Sequence, residues 1–355
     1  MKKHFDDLII KLSNGMPFNV DETLVNSLGY APSLLYKYRS CDDNGFDMLE
    51  KGYIWASIPD GFIDPIDSKV NLRLRSELPA IHKWMDLHIG ELIYYHIPPK
   101  GMQIKKGNHS LSDYLKAQEH FVNENGGLDT KLMKKEMVLE IKRLPKEQQV
   151  AYKKMLERFK SREFEEAVVN GAKTVIDGVV NVFRKSKIVA SLTCRRDNST
   201  MWENYANKYT GFCVEYKVPA LDELSEDQKS VLVHLLPVRY YKRIPGVSLL
   251  PFIQADFHKS LYGEQININD SVAALYKQLI YKRYEYNFEE EWRIILDEKV
   301  ARKVDFPFVS AVYAGFRIAD SDLQKLRNIC NHMNIPLYCQ KLSVTANRFQ
   351  YELIE

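Results

Sequence analysis

No stretch of this 355-residue sequence approaches the ~20 consecutive apolar residues that a membrane-spanning helix requires, so no membrane is expected as a partner. The first residues offer Lys2, Lys3 and His4 but only the short apolar run Leu8-Ile9-Ile10, too little for the core of a secretion signal. Five cysteines, an odd number spread from Cys41 to Cys339 without close pairing, do not read as a disulfide framework, and a reducing cytoplasm is the expected location. Charge of one sign is also missing: 50 Lys and Arg stand against 47 Asp and Glu. The net +3 is too small for the bulk field to draw nucleic acid or an anionic surface. H-E-x-x-H, G-x-S-x-G and C-x-x-C are absent, which removes the simplest protease, esterase and redox readings. Neither G-x-G-x-x-G nor G-x-x-x-x-G-K-[ST] occurs, so a regular doubly wound nucleotide-binding sheet is not expected.

What is present is a folded chain, 45% hydrophobic and 27% charged, long enough for one large domain or two ordinary ones. In the segment 34–40, Leu35, Lys37 and Arg39 alternate with Leu34, Tyr36 and Tyr38, the period of a strand. Asp42-Asp43-Asn44 offers a helix cap, Gly52 a helix end, and 53–57 a second strand. The segment Phe62-Ile63-Asp64-Pro65-Ile66-Asp67 reads as a fixed loop, because Pro65 disfavours a helical Asp64. From 69 to about 184 the pattern turns helical, with Met137, Ile141 and Leu144, then Tyr152, Met155 and Phe159, at helical spacing and loops at 101–107 and 123–127. Lys and Glu are interspersed there as on a solvated helix face, with nucleic-acid contact by the lysines as the rival reading. Strands are expected again at 188–193, 211–216, 237–241, 292–296, 309–313 and 337–342. Helices are expected at 199–206 (capped by Ser199), 223–232, 272–281 and 320–331. The expected class is α+β, a small split mixed sheet of short strands with flanking helices. The expected organisation is 1–68 and 187–355 as two parts of one α+β domain and 69–186 as a large helical insertion.

Metal chemistry is thin: Cys330, His332 and Cys339 lie close in sequence without a fourth ligand. The densest cluster of reactive groups is Phe288-Glu289-Glu290-Glu291-Trp292-Arg293-Ile294. If the strand begins early, Glu289, Glu291 and Arg293 share one face and Glu290, Trp292 and Ile294 the other. A structural ion pair at a strand edge is the plain alternative to a catalytic site.

In their order, Leu35-Tyr36-Lys37-Tyr38-Arg39-Ser40, the strand 53–57, the Phe62 to Asp67 loop, Met201-Trp202-Glu203-Asn204-Tyr205-Ala206 before Gly211-Phe212-Cys213, and Glu289-Glu290-Glu291-Trp292-Arg293 resemble a bacterial family, domain of unknown function 2971. The resemblance runs from about Leu34 to Ile318, interrupted by the helical insertion, and the family commonly has Asn where Ile63 stands. Members of that family resemble parts of bacterial toxin and anti-phage defence systems. Their layout is similar, more distantly, to that of ADP-ribosyltransferases.

The second resemblance implies NAD as co-substrate. Breaking the bond between nicotinamide and ribose leaves positive charge on the sugar, and Glu291 is the expected carboxylate that stabilises it. Glu289 would orient the acceptor or take its proton. Arg39 and Lys37 would hold phosphate or ribose oxygens, Tyr53 or Trp55 would stack on nicotinamide, and Ser57 would add a hydroxyl. Tyr38, Asp64, Trp202, Tyr205 and Arg293 complete the expected NAD-binding set. The acceptor, whether nucleic acid, protein side chain or water, stays open, as does an inhibitor partner. Two alternatives stand beside this: a metal-dependent nuclease using Asp197, Glu215 and Lys217, and a non-enzymatic sensor or antitoxin-like module in which Arg39, Asp64 and Arg293 form a buried network.

Overall fold

Alternation along Leu-Tyr-Lys-Tyr-Arg makes residues 35–39 a strand, and Asp42, whose carboxylate accepts from the Gly45 backbone N–H at 2.7 Å, starts the helix that follows. The structure, a computed structural model, describes residues 2–29, 31–62, 64, 66–73, 76–81, 83–84, 130–159, 161–255, 265–299, 302–343 and 348–354. The expected loops at 101–107 and 123–127, and Ile63 and Pro65, lie outside them. In chain order the principal elements are α1 (Lys2–Asn14), α2 (Val20–Leu28), β1 (Leu35–Arg39), α3 (Asp43–Glu50), β2 (Tyr53–Trp55), α4 (Thr130–Arg143), α5 (Lys146–Phe159) and α6 (Arg162–Lys185). There follow β3 (Lys187–Thr193), α7 (Ser199–Tyr205), β4 (Phe212–Tyr216), α8 (Glu226–Leu232), β5 (Leu235–Pro237), β6 (Arg239–Tyr241), α9 (Asn269–Gln278), β7 (Tyr281–Arg283) and β8 (Glu291–Asp297). The chain ends with β9 (Lys303–Asp305), β10 (Val309–Ala314), α10 (Asp320–Met333), β11 (Leu337–Ser343) and β12 (Arg348–Ile354).

Two compact units result. One is Met1–Asn71 with Val180–Pro245 and Val272–Glu355; the other is Leu72–Val179 with Gly246–Ser271. The second unit holds α4, α5 and most of α6, and its Leu72 bridges Val247 while Glu77 accepts from the Leu249 N–H at 2.8 Å. Among the described residues no helix is long and apolar enough to cross a membrane.

The first unit is built on a mixed eight-stranded sheet of order β12-β11-β10-β4-β1-β3-β8-β5, beside the two-stranded pairs β2-β9 and β6-β7. The α+β class is therefore borne out, with a main sheet of eight strands. Within it β10 and β11 run parallel and the other neighbours antiparallel. β12 was not expected; its own Leu353 stays exposed, as does Leu342 of the neighbouring β11, so the segment lacks the buried apolar run that announces a strand. The α7 cap is Asn198 rather than Ser199: its side-chain oxygen accepts from the Thr200 and Met201 N–H groups, and its amide donates to the Phe288 carbonyl, a tertiary tie that Ser199 lacks.

Residues directly opposite in the ladder share a face. One face carries Leu35, Ile188, Ala190, Val214, Ile294 and Val312, packed against Leu24 of α2, Met48 and Leu49 of α3, Leu232 of α8 and Leu326 of α10. The other is divided. Tyr36, Tyr38, Cys213 and Tyr313 pack on Trp202 and Tyr209, whereas Val189, Ile295 and Leu236 pack on Ile9 of α1 and Tyr276 of α9. Between these apolar zones Ser191, Thr193, Glu291 and Arg293 share that second face. The aromatic zone depends on an unusual reversal after α7, where Asn207, Lys208 and Tyr209 are all left-handed (φ 45°, 56° and 69°). The turn closes because a Cβ at Gly211 would lie 2.1 Å from the Arg39 carbonyl oxygen, an approach open only to glycine.

Candidate functional site

The polar zone is a buried cluster of ions. Arg293, 1% exposed, sits on β8 two residues from Glu291 and meets it with two bonds, Nε to Oε1 at 2.8 Å and Nη2 to Oε2 at 3.0 Å. Its other side makes a second fork with Asp67, Nη1 to Oδ1 at 2.9 Å and Nη2 to Oδ2 at 2.6 Å. Nη1 also donates to Ser68 Oγ (3.1 Å) and to the Leu279 carbonyl (2.7 Å). All the guanidinium's donors are engaged, as burial of an arginine demands.

Lys282 on β7 enters from another side. Its ammonium donates to Glu289, lies 3.1 Å from Glu291 Oε2 and 3.4 Å from Asp67 Oδ2. Three carboxylates (Asp67, Glu289, Glu291) thus surround two cations. Glu289 belongs to a short 3-10 turn (Tyr284–Glu289), not to β8, yet reaches the same ammonium because Glu290 is left-handed (φ 40°) and swings outward. Glu290 instead meets Arg195 and the Cys194 thiol. The turn is held from β3, where the Thr193 hydroxyl donates to the Glu289 carbonyl. Tyr205 of α7 donates to Glu289 Oε1 at 2.7 Å, and the Glu291 N–H donates to the Tyr240 hydroxyl at 2.9 Å. The rings of Tyr286, 5.0 Å from the Lys282 ammonium, and Phe62, 5.3 Å from the Arg293 guanidinium, complete the surroundings.

These contacts set opposite acidities. Burial, then the Glu291 charge, push the Glu289 carboxyl above its ordinary range, and Lys282 only partly offsets them. Burial pushes Glu291 upward too, but Arg293 and Lys282 outweigh it and hold that carboxyl well below the ordinary range. Burial alone would discharge Lys282, and the surrounding carboxylates keep it charged.

The expected site residues fall into separate groups. Glu289, Glu291, Arg293 and Tyr205 are brought together. Arg39 and Lys37 are not with them: Tyr36 is opposite Thr193 and Thr193 opposite Glu291, so alternation turns Lys37 and Arg39 to the other face. Arg39 there donates from Nε to the Met48 sulfur at 3.2 Å. Lys37 fills a gap in the ladder: β1 pairs with β3 only at Tyr36, Ser57 bridges Val189 further along, and the Ser191 carbonyl between them accepts from Lys37 Nζ at 2.6 Å. Burial and the adjacent Arg39 push the Lys37 ammonium down to about 7.

Tyr53 packs in the apolar core with its hydroxyl on Asp47 (2.8 Å), Trp55 is 39% exposed on β2, and Ser57 serves the bridge. The expectation that Arg39, Tyr53 and Glu291 line one cleft is therefore corrected by the strand register. Tyr38 and Trp202 are likewise not beside the carboxylates. The Tyr38 hydroxyl donates to the Arg195 and Arg196 carbonyls, and Trp202, fully buried, donates to the Arg196 carbonyl at 3.0 Å, so both pin the 194–198 loop.

Asp64 caps its own turn by accepting from the Ile66 N–H at 2.9 Å and faces Arg283 at 3.4 Å. Asp67, three residues on, is the one that enters the cluster. Sequence reasoning missed Asp67, Lys282 and Tyr240; only Asp67 stood in a quoted motif. For the nuclease alternative, both Glu215 oxygens are taken by hydroxyls, Ser310 and Tyr313 each at 2.8 Å, while Asp197 pairs with Arg196 and Lys217 is exposed. Among the described residues no set of three or more His, Cys, Asp or Glu side chains is arranged to hold a metal ion. Cys330 is buried in α10.

No curated protein and no solved structure matches the chain. Residues 201–294, from α7 into β8 and including Tyr205, Lys282, Glu289, Glu291 and Arg293, match a family model described as a protein of unknown function (DUF2971).

Proposed function

We propose that the charged cluster is the active site of an enzyme that breaks the bond between nicotinamide and ribose, with NAD as the donor of an ADP-ribosyl group. The observation that carries this reading is the placement of two buried carboxyls, Glu289 and Glu291, on the one Lys282 ammonium, where burial and the Glu291 charge raise Glu289 while Arg293 and Lys282 lower Glu291. Arg293 and Lys282 favour Glu291 as an anion. When Glu289 is also ionised, Asp67, Glu289 and Glu291 exceed Lys282 and Arg293 by one negative charge, and that excess stabilises a cationic sugar more than its neutral precursor. The C–N bond breaks with its electron pair leaving on nicotinamide. The acceptor's oxygen or nitrogen bonds to the sugar carbon, and its proton passes to Glu289, which returns the cluster to neutrality. Lys37 and Arg39 take no part.

The test is purified protein incubated with NAD labelled in its adenylate half and with cell lysate, comparing wild type, Glu289→Gln and Glu291→Gln. Both variants are expected to lose label transfer and nicotinamide release by roughly 100-fold or more, the scale of a general acid–base contribution. Release persisting in a folded Glu289→Gln protein overturns the reading.

A second reading has its own observation, the saturation of Arg293 by two carboxylates, a hydroxyl and a carbonyl. On that reading the cluster is a cross-link within a non-enzymatic sensor or antitoxin-like interaction module of a bacterial defence system. A cellular effect that survives Glu291→Gln in a folded protein would favour it.

A further inference from the structure

On the aromatic zone of the same sheet face, the Arg196 side chain lies over a pair of tyrosine rings. Its guanidinium lies 4.8 Å from the Tyr313 ring centre and 4.5 Å from that of Tyr351, and the two rings meet edge to face at 5.1 Å and 77°. The corner they form is braced by Tyr338, stacked on Tyr313 at 5.1 Å. Arg196 comes from the irregular 194–198 loop, and among the described residues its one ion pair is with the next residue, Asp197, with no carboxylate of the sheet paired to it.

The corner nevertheless carries chemistry for a cation. Glu215, buried beside Tyr313, accepts from the Ser310 and Tyr313 hydroxyls. Gln340, 1% exposed and directly opposite Tyr351 in the β11–β12 ladder, has neither its amide oxygen nor its amide nitrogen partnered. A buried side-chain amide with both ends unused costs stability unless a partner arrives. Two ring faces, a nearby buried carboxyl group and an unused amide acceptor suit a flat, delocalised cation with several N–H donors, which is a guanidinium.

We infer that the Tyr313–Tyr351 corner is a binding site for the arginine side chain of a partner polypeptide, and that Arg196 occupies it in the free protein as an internal stand-in. Displacement would move a loop that also carries Arg195, paired with Glu290, and Asn198, bonded to the Phe288 carbonyl. The arginine site is thereby joined to the segment that places Glu289. Binding itself does not depend on what that segment catalyses.

Arg196→Ala vacates the corner. The first probe is N-ethylguanidinium at millimolar concentration, read by calorimetric titration and by melting temperature, with n-butylammonium as control. The variant is expected to melt below wild type and to recover saturably with the guanidinium but not with the ammonium. The second probe is a capped Ala-Arg-Ala tripeptide against its lysine counterpart. The arginine peptide should bind Arg196→Ala about tenfold or more tighter than wild type, because self-occupation reduces the competent fraction of the free protein. Tyr351→Leu added to Arg196→Ala should abolish both effects. Equal binding by wild type and variant, equal affinity for the ammonium, or binding unaffected by Tyr351→Leu overturns the inference. So does uptake of the small guanidinium without the peptide, since the ligand would then not be a partner's side chain. If Arg196→Ala does not fold, Arg196→Gln serves in its place with the same outcomes.

Discussion

Two pairs of basic side chains lie near one another on opposite faces of the main sheet, and they live in opposite electrostatic worlds. Arg293 and Lys282 are buried among Asp67, Glu289 and Glu291, and both are driven toward their charged forms. Lys37 and Arg39, two residues apart on β1, share their face with the apolar core, and both are driven toward discharge, by burial first. The difference is the company, not the depth. A cation that gives up water is strongly favoured in its charged form by carboxylates within about 3 Å, and a sulfur or a single carbonyl offers far less compensation.

The largest expected effect removes the hub of the compensated pair. Arg293→Met leaves Asp67 and Glu291 facing each other with only Lys282 between them, and should cost about 3–5 kcal/mol by denaturant unfolding, the usual penalty for stripping one member from a buried ion cluster. A loss below about 1 kcal/mol would mean that water already reaches these carboxylates. Within the cluster the two glutamates should then separate. Glu291→Gln discards a carboxylate that holds two cations and should cost roughly 1–3 kcal/mol at neutral pH. Its contribution is fully present above the ordinary glutamate range and fades as pH falls below it, so the gap to wild type should narrow in acid. Glu289→Gln removes a carboxyl that burial and Glu291 disfavour as an anion, while its amide can still accept from Tyr205 and Lys282, and it should cost less stability than Glu291→Gln. Such a variant, stable and yet inactive, would be the sharpest support for the acid–base assignment.

Much of this arrangement was legible beforehand, and its limits have a physical cause. The β1 alternation, the Asp42 cap, the strand expected at 292–296 and found at Glu291–Asp297, and the helical periodicity beyond residue 130 are local properties, set by side chains within a few residues of each other. Whether Arg39 and Glu291 share a face is not local. It depends on the offsets of β1 against β3 and β3 against β8, and a one-residue slip in either reverses it. Lys282 sits in Tyr281-Lys282-Arg283-Tyr284, which reads as a solvated polar segment. Its partners Glu289 and Glu291 are within nine residues, but the third carboxylate that it shares with Arg293, Asp67, lies more than two hundred residues away, and the closure of the cluster around this lysine is not a local property. Asp64 drew attention over Asp67 because it precedes a proline, and a turn cap is what it turned out to be.

The smallest expected effect tests the uncompensated pair. An ammonium pushed down to about 7 in the folded chain returns to about 10.4 when the chain unfolds, so between these values the unfolded state binds more protons. Stability then rises with pH across that window, by at most about 1.4 kcal/mol per pH unit, and is flat below it, where Lys37 is charged in both states. Lys37→Met cannot show this slope. At pH 7 it should equal or exceed wild type in stability, since it removes a disfavoured charge while leaving the Ser191 carbonyl short of one donor, and by pH 9 wild type should have drawn ahead. Arg39→Gln should reduce the slope without abolishing it, because burial, the larger cause, remains after the neighbouring charge has gone. Parallel stability curves for wild type and Lys37→Met from pH 7 to 9 would show that Lys37 stays protonated, and the contrast between the two faces would then lie in geometry alone.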